Sequence, residues 1–285
     1  MRRYPFASYI LDIPDDHKIF DIHAVDPFYD RTFTHIYSTI GAHKPSGLIV
    51  DIGANVGDTA ATILSTCHSN PILCVEGSPE FLPYMRSNLR HLGSRVTLLD
   101  RYLRPPATRS ISLNAVHERG SGFLTNDTTR GQTVACSSFV EWEEFLHIAS
   151  QLAPEIALIK TDTDGFDGYI VSELLHQTDF PIFFECDTNL VLPCIENPWP
   201  NVFKKLNERG YSILVFDNHG LPMLAAQSDV ENILTDLSGY SSLQRSVLPI
   251  RVHYLDIWAF PPEWKETFVA LKDVLRNDLL RPYRF

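Results

Sequence analysis

The residues of this 285-residue chain with the most chemical potential sit at the ends of short apolar runs. Val50-Asp51 closes one run and leads into Ile52-Gly53-Ala54-Asn55-Val56-Gly57-Asp58, and Val75-Glu76 closes the next, ahead of Gly77-Ser78-Pro79. A third run ends in Lys160-Thr161-Asp162-Thr163-Asp164-Gly165-Phe166-Asp167, and a fourth, Phe183-Phe184, ends in Glu185 with Asp187 two residues on. Such ends form the ligand-binding edge of an open α/β sheet. Gly53 and Gly57 would let the backbone approach a ligand, and a helix starting near Gly57 would offer free N–H groups to a carboxylate. Asp51 could attract an ammonium group, with Asn55 and Asp58 in the same turn. Glu76 could accept hydrogen bonds from both hydroxyls of a ribose.

One molecule, S-adenosylmethionine, carries that ribose, ammonium and carboxylate together. A nicotinamide dinucleotide would also want the acid at Glu76, but its turn reads G-x-G-x-x-G. Here the turn is G-x-N-x-G, with Asn55 in the middle and no third glycine in place.

The elements that must position these residues follow from periodicity. Tyr29, Phe33, Ile36, Tyr37 and Ile40 fall at helical spacing before Gly41 and Pro45, which predicts an N-terminal cover helix. Strands are expected at 47–51, 71–76 and 96–99, with a helix through Cys67 and another from Ser78 to Gly93 between them. That β-α-β-α-β rhythm favours a parallel sheet covered on both faces. Residues 104–135 break it; their Gly, Ser, Thr and Asn content predicts a strand and a mobile loop over the ligand, with Ser121 among its contacts. Regular structure resumes with helices near 140–150, 167–176, 202–208, 229–239 and 264–275, and strands at 156–161, 181–185, 211–216 and 252–260. The boundaries read as a cover segment over 1–46 and an α/β unit with C-terminal elements over 47–285.

Composition narrows the partners. A net charge of −11 argues against broad contact with nucleic acid, which needs clustered Lys and Arg. No run is long and apolar enough for a signal peptide or a membrane span, so the expected address is cytoplasmic, with no membrane partner. Five scattered cysteines without a C-x-x-C pair suggest neither a zinc site nor a disulfide framework.

The third run resembles the "LLKID-x-EG-x-E" segment of FkbM-type methyltransferases, the glycine turn resembles that family's "VD-x-GAN-x-G", and Val75-Glu76-Gly77-Ser78-Pro79 stands where it has "EP-x-P". The likeness covers roughly residues 47–187. It implies a class I methyltransferase Rossmann-like fold, a seven-stranded, mostly parallel sheet with helices on both faces and an antiparallel last strand. It also implies S-adenosylmethionine as co-substrate and a small-molecule acceptor, usually a hydroxyl of a sugar or natural product. Departures are Asp164 and Asp167, each one methylene shorter than the family's Glu, and Gly77 in place of Pro.

The donor contacts expected on this basis are Asp51, Gly53, Asn55, Gly57, Asp58, Glu76, Ser78, Ser121 and Asp162. Asp162 and Asp164 stand where a general base belongs, and Lys160 could pair with Asp162 or orient a substrate. The bland alternative for Lys160 and Asp162 is a structural ion pair, and for Asp164 a turn residue. His117, His219 and His253 are the histidines considered as bases. Asp162, Asp164, Glu185 and Asp187 would converge if their strands are neighbours; that set would suit a divalent metal, which is not favoured, or an amine-bearing substrate. Two other readings stay open, a nicotinamide-dependent oxidoreductase and a non-catalytic nucleoside-binding scaffold, as does association into a homo-oligomer.

Overall fold

The computed structural model describes residues 1–26, 29, 32–176, 179–247 and 252–280. Residues 27, 28, 30 and 31 of the expected cover segment, and 248–250 near the C-terminal elements, lie outside them. The chain opens with a hairpin, β1 (Arg2–Phe6) and β2 (Tyr9–Ile13), that the sequence reading did not anticipate, followed by helices α1 (Ile19–Val25) and α2 (Phe33–His43). Then come β3 (Leu48–Ile52), α3 (Asp58–Thr66), β4 (Ile72–Val75), α4 (Leu82–Leu92), β5 (Val96–Leu99) and β6 (Tyr102–Arg104).

Where a strand and a mobile loop were expected over 104–135, there is a small antiparallel sheet of β7 (Asn114–Glu118), β8 (Ser121–Thr125) and β9 (Gln132–Thr133). Gly122 lies opposite His117 in its register, so residues that read as loop-forming are held in a ladder by their backbones. The remaining elements are β10 (Phe139–Glu141), α5 (Trp142–Leu152), β11 (Ile156–Thr161), α6 (Asp167–Leu174), β12 (Ile182–Cys186), α7 (Trp199–Glu208), β13 (Ser212–Asp217), β14 (Pro222–Ala226), α8 (Val230–Val247), β15 (Leu255–Phe260) and α9 (Lys265–Leu280).

The central sheet runs β14-β13-β15-β12-β11-β3-β4-β5. The strands from β12 to β5 are parallel, and β15 is antiparallel to both β12 and β13. This is the expected mostly parallel sheet with a late antiparallel strand, but it has eight strands where seven were expected. The eighth is β14, which folds back on β13 after the turn at Asn218-His219-Gly220. Its half-exposed alternation and its leading proline suit an edge position.

Leu48–Ile52 is buried on both faces, as a central parallel strand must be. One face carries Val50, Ile52, Ile159 and Phe184 under α5, α6, α7 and α8. The other carries Ile49, Phe183, Leu214 and Trp258 under α2, α3, α4 and α9, with β2 joining the same apolar cluster. Each large side chain buried this way contributes roughly 1.5–3 kcal/mol. Among the described residues no helix is long and apolar enough to cross a membrane.

Candidate active site

Strand ends place the site. The carboxyl ends of β3, β4, β11 and β12 lie side by side, and β15 adds its amino-terminal residues to the same edge. Two cavities open there. A narrow cleft of about 70 Å³ lies over β3 and β4, with Glu76, Ser78, Phe81, Tyr102 and Leu103 in its walls and Gly122 and Leu124 of β8 above it. A larger cavity of about 430 Å³ lies over β11, β12 and β15 beneath the N-terminal hairpin and α1 and α2. Gly53, Asn55, Asp162 and Asp164 line both.

Glu76 is 7% exposed, and its two carboxylate oxygens are held by the fold itself. The backbone N–H of Asn55 donates to one (2.8 Å) and that of Ser78 to the other (2.7 Å). A carboxylate has about four acceptor positions, so these two bonds do not exhaust it. Burial pushes its pKa up to about 7, against the pull of those backbone donors. Gly77 has a packing reason here: a Cβ would come within 2.3 Å of the Tyr102 ring, so the family's proline could not sit beside this tyrosine. The Tyr102 hydroxyl is buried beside Ser78, and burial raises its pKa.

One expectation about the glycine turn needs correction. Asp51 lines neither cavity; it is fully buried, and its carboxylate faces the ammonium of Lys160 at 3.2 Å. The cause is register, since Lys160 is the Cα partner of Asp51 on the neighbouring strand. Gly53 and Gly57 also serve the protein's own packing. At φ +83°, a Cβ on Gly53 would fall 1.9 Å from the Asp162 carbonyl oxygen, and at φ +91° one on Gly57 would fall 2.7 Å from Met85 Sδ. Gly57 precedes α3, whose first residues, Asp58 and Thr59, line the larger cavity.

Lys160 holds two acids at once, Asp51 and Asp162, each at 3.2 Å. The Lys160–Asp162 ion pair weighed from sequence is therefore present, while Asp162, 42% exposed, still faces both cavities. Asp164 takes a left-handed φ of +50°, and burial together with the Asp162 charge pushes its carboxyl up to about 6. Asp167 organises the loop behind them: it accepts from the Thr161 hydroxyl (2.8 Å), the Thr163 hydroxyl (3.0 Å) and the Thr163 backbone N–H (3.1 Å). Burial pushes it up to about 6 as well.

Ser78 lines the cleft, and its hydroxyl accepts from the Glu80 backbone N–H (3.2 Å). Ser121 lines the larger cavity instead, where the Lys18 ammonium donates to its hydroxyl. Asn55 is stitched to the small sheet, its side-chain amide donating to the Gly120 carbonyl at 2.8 Å.

Of the four acids expected to converge, Asp162, Asp164 and Glu185 line one cavity and Asp187 does not; it accepts from the Asn189 backbone N–H instead (2.9 Å). Asp256 takes its place, directly across from Glu185 in the β12–β15 register. Sequence reasoning missed Asp256, Tyr254, Lys18 and Tyr102, because each reaches the site only through strand order or through the packing of the cover segment. His117, His219 and His253 line neither cavity, whereas His17 and His23 line the larger one. Among the described residues no group of three or more His, Cys, Asp or Glu could hold a metal ion.

No protein-family profile and no curated protein matches the sequence. Solved structures similar in outline include the plantazolicin methyltransferase BamL in complex with a triazolic desmethylPZN analog and SAH, at 11% identity over 85% of this chain and 89% of that one, with a TM-score of 0.42. A putative O-methyltransferase from Klebsiella pneumoniae is 12% identical over 80% of this chain and 79% of its own, with a TM-score of 0.39. Precorrin-6y C5,15-methyltransferase from Geobacter metallireducens GS-15 is 11% identical over 78% and 84%, with a TM-score of 0.36.

Proposed function

We propose that the chain is an S-adenosylmethionine-dependent methyltransferase of the FkbM type that acts on a small molecule, with a hydroxyl of a sugar or natural product as the methylated group. The observation that carries this reading is the shared neck: a donor cleft ending in Glu76 and a larger acceptor cavity meet at Gly53, Asn55, Asp162 and Asp164. A group transferred between two molecules must pass through such a junction.

The lining of the cleft suits a nucleoside, which would have to widen it on binding. Glu76 keeps acceptor positions for ribose hydroxyls, and Phe81, Leu103, Phe166 and Ile170 supply apolar walls. When bound, S-adenosylmethionine supplies an electrophilic methyl group. Glu76 holds the ribose, Asn55 and Asp162 border the neck, and the backbone of β8 covers the cleft and excludes water. Asp164, with its pKa near 6, is ionised at neutral pH and suited to take the proton of an acceptor hydroxyl. Lys160 fixes Asp162 from below.

Calorimetry with S-adenosylhomocysteine tests the reading. The wild type should bind in the micromolar range and Glu76→Ala at least tenfold more weakly, because two charge-assisted hydrogen bonds vanish. A melting temperature raised by NAD and unmoved by S-adenosylhomocysteine would select nicotinamide chemistry instead.

A further inference from the structure

Glu185 is as buried as Glu76, at 6% exposed, and lines the larger cavity. It receives no hydrogen bond and no ion pair from any described residue. Keeping a carboxyl in such a place without a partner costs several kcal/mol. Its surroundings sharpen the problem, since Asp58, Asp162 and Asp164 line the same cavity. Among the described residues the lysines there are Lys18 and Lys160, and Lys160 is committed to Asp51 and Asp162. An excess of carboxylates repels an anionic ligand and draws a cationic one. Phe33, Tyr37 and Phe183 form aromatic wall beside these acids, a surface that also favours an ammonium group.

Building on the methyltransferase reading, we propose that the acceptor carries a protonated amine and that this amine docks on Glu185. The distance scale suits a small molecule. Thr161 pairs with Phe184, so Asp162 and Glu185 stand in the same rank on adjacent strands, roughly 5 Å apart at their backbones. Asp256 stands one strand farther. An acceptor held by its amine at Glu185 therefore presents an atom a few bonds away to the neck at Asp162 and Asp164. The amine is the handle, and it selects against phosphorylated or carboxylated acceptors whichever atom receives the methyl.

The test is a calorimetric titration of the full chain with 3-phenylpropylamine and with its neutral counterpart 3-phenylpropan-1-ol, both with saturating S-adenosylhomocysteine and without it. The wild type should bind the amine at least tenfold more tightly than the alcohol. Glu185→Gln, which keeps shape and removes charge, should abolish that preference while its affinity for S-adenosylhomocysteine stays within about twofold. Should Glu185→Gln fail to fold, Glu185→Met provides the second variant, with the same expected loss of the preference for the amine. Equal affinity for the two probes, no binding of either up to roughly 10 mM, or a preference that survives Glu185→Gln overturns the proposal. If S-adenosylhomocysteine fails to bind, the methyltransferase reading falls, and the cofactor-free titration still decides the amine site.

Discussion

Glu76 and Glu185 end two strands of one sheet, are equally buried, and meet opposite fates. Glu76 is gripped by the backbone N–H groups of Asn55 and Ser78, whereas Glu185 is gripped by no described residue. The first is a carboxylate whose orientation folding has already settled, so a ligand finds it ready. The second is a carboxyl whose burial cost no described residue offsets. On the proposed function, the donor side is thus preorganised by main chain, and the acceptor side is selective by need.

Lys160 offers the hardest test of this contrast, because it shows what a buried acid costs once its partner is taken away. Lys160→Met should destabilise the fold by about 3–5 kcal/mol in urea denaturation, since Asp51 would then be buried with no counter-charge, and adding Asp51→Asn should recover much of the loss. Next in size, Glu185→Gln should stabilise the protein by about 1–3 kcal/mol at pH 8, whereas Glu76→Gln should lose about 1 kcal/mol as its NH₂ meets a backbone donor. The sign follows from the pKa directions. Both carboxyls rise above 4.5 on folding, so their contribution is whole below that value and is lost as pH climbs through the folded pKa. For Glu76 that window runs from about 4.5 to about 7, and for Glu185 burial and the surrounding acids extend it upward.

Ligand binding reverses the use of the same titration. S-adenosylhomocysteine should bind the ionised form of Glu76, so its affinity should rise roughly tenfold between pH 6 and pH 8 and flatten in Glu76→Gln. The smallest effect belongs to Ser78→Ala. Since the backbone N–H of Ser78, not its hydroxyl, holds Glu76, affinity for S-adenosylhomocysteine should change less than about threefold. A larger drop would mean that the hydroxyl itself touches the nucleoside.

The Glu76 half of this contrast was legible in the sequence and the Glu185 half only in part, since Glu185 was expected beside Asp162 and Asp164 but Asp256 was not. Gly53, Asn55 and Glu76 announce themselves because a strand, a turn and the next strand are consecutive, so spacing alone puts them together. Asp51 was misplaced because its partner, Lys160, is supplied by a strand more than a hundred residues away whose register no local pattern reveals. Asp256 went unnoticed for the same reason, as only the antiparallel insertion of β15 beside β12 brings it opposite Glu185. The hairpin of β7 and β8 was hidden by composition, since Gly and Ser read as loop even where a backbone ladder can hold them.

The contact between Gly53 and the Asp162 carbonyl has a practical consequence. With no room for even one carbon between them, the donor turn and the end of β11 form a single rigid clamp. Retargeting the protein to new compounds should therefore leave that clamp alone and redraw the opposite wall, from Phe183 and Glu185 to Asp256, where side chains rather than main chain set the shape.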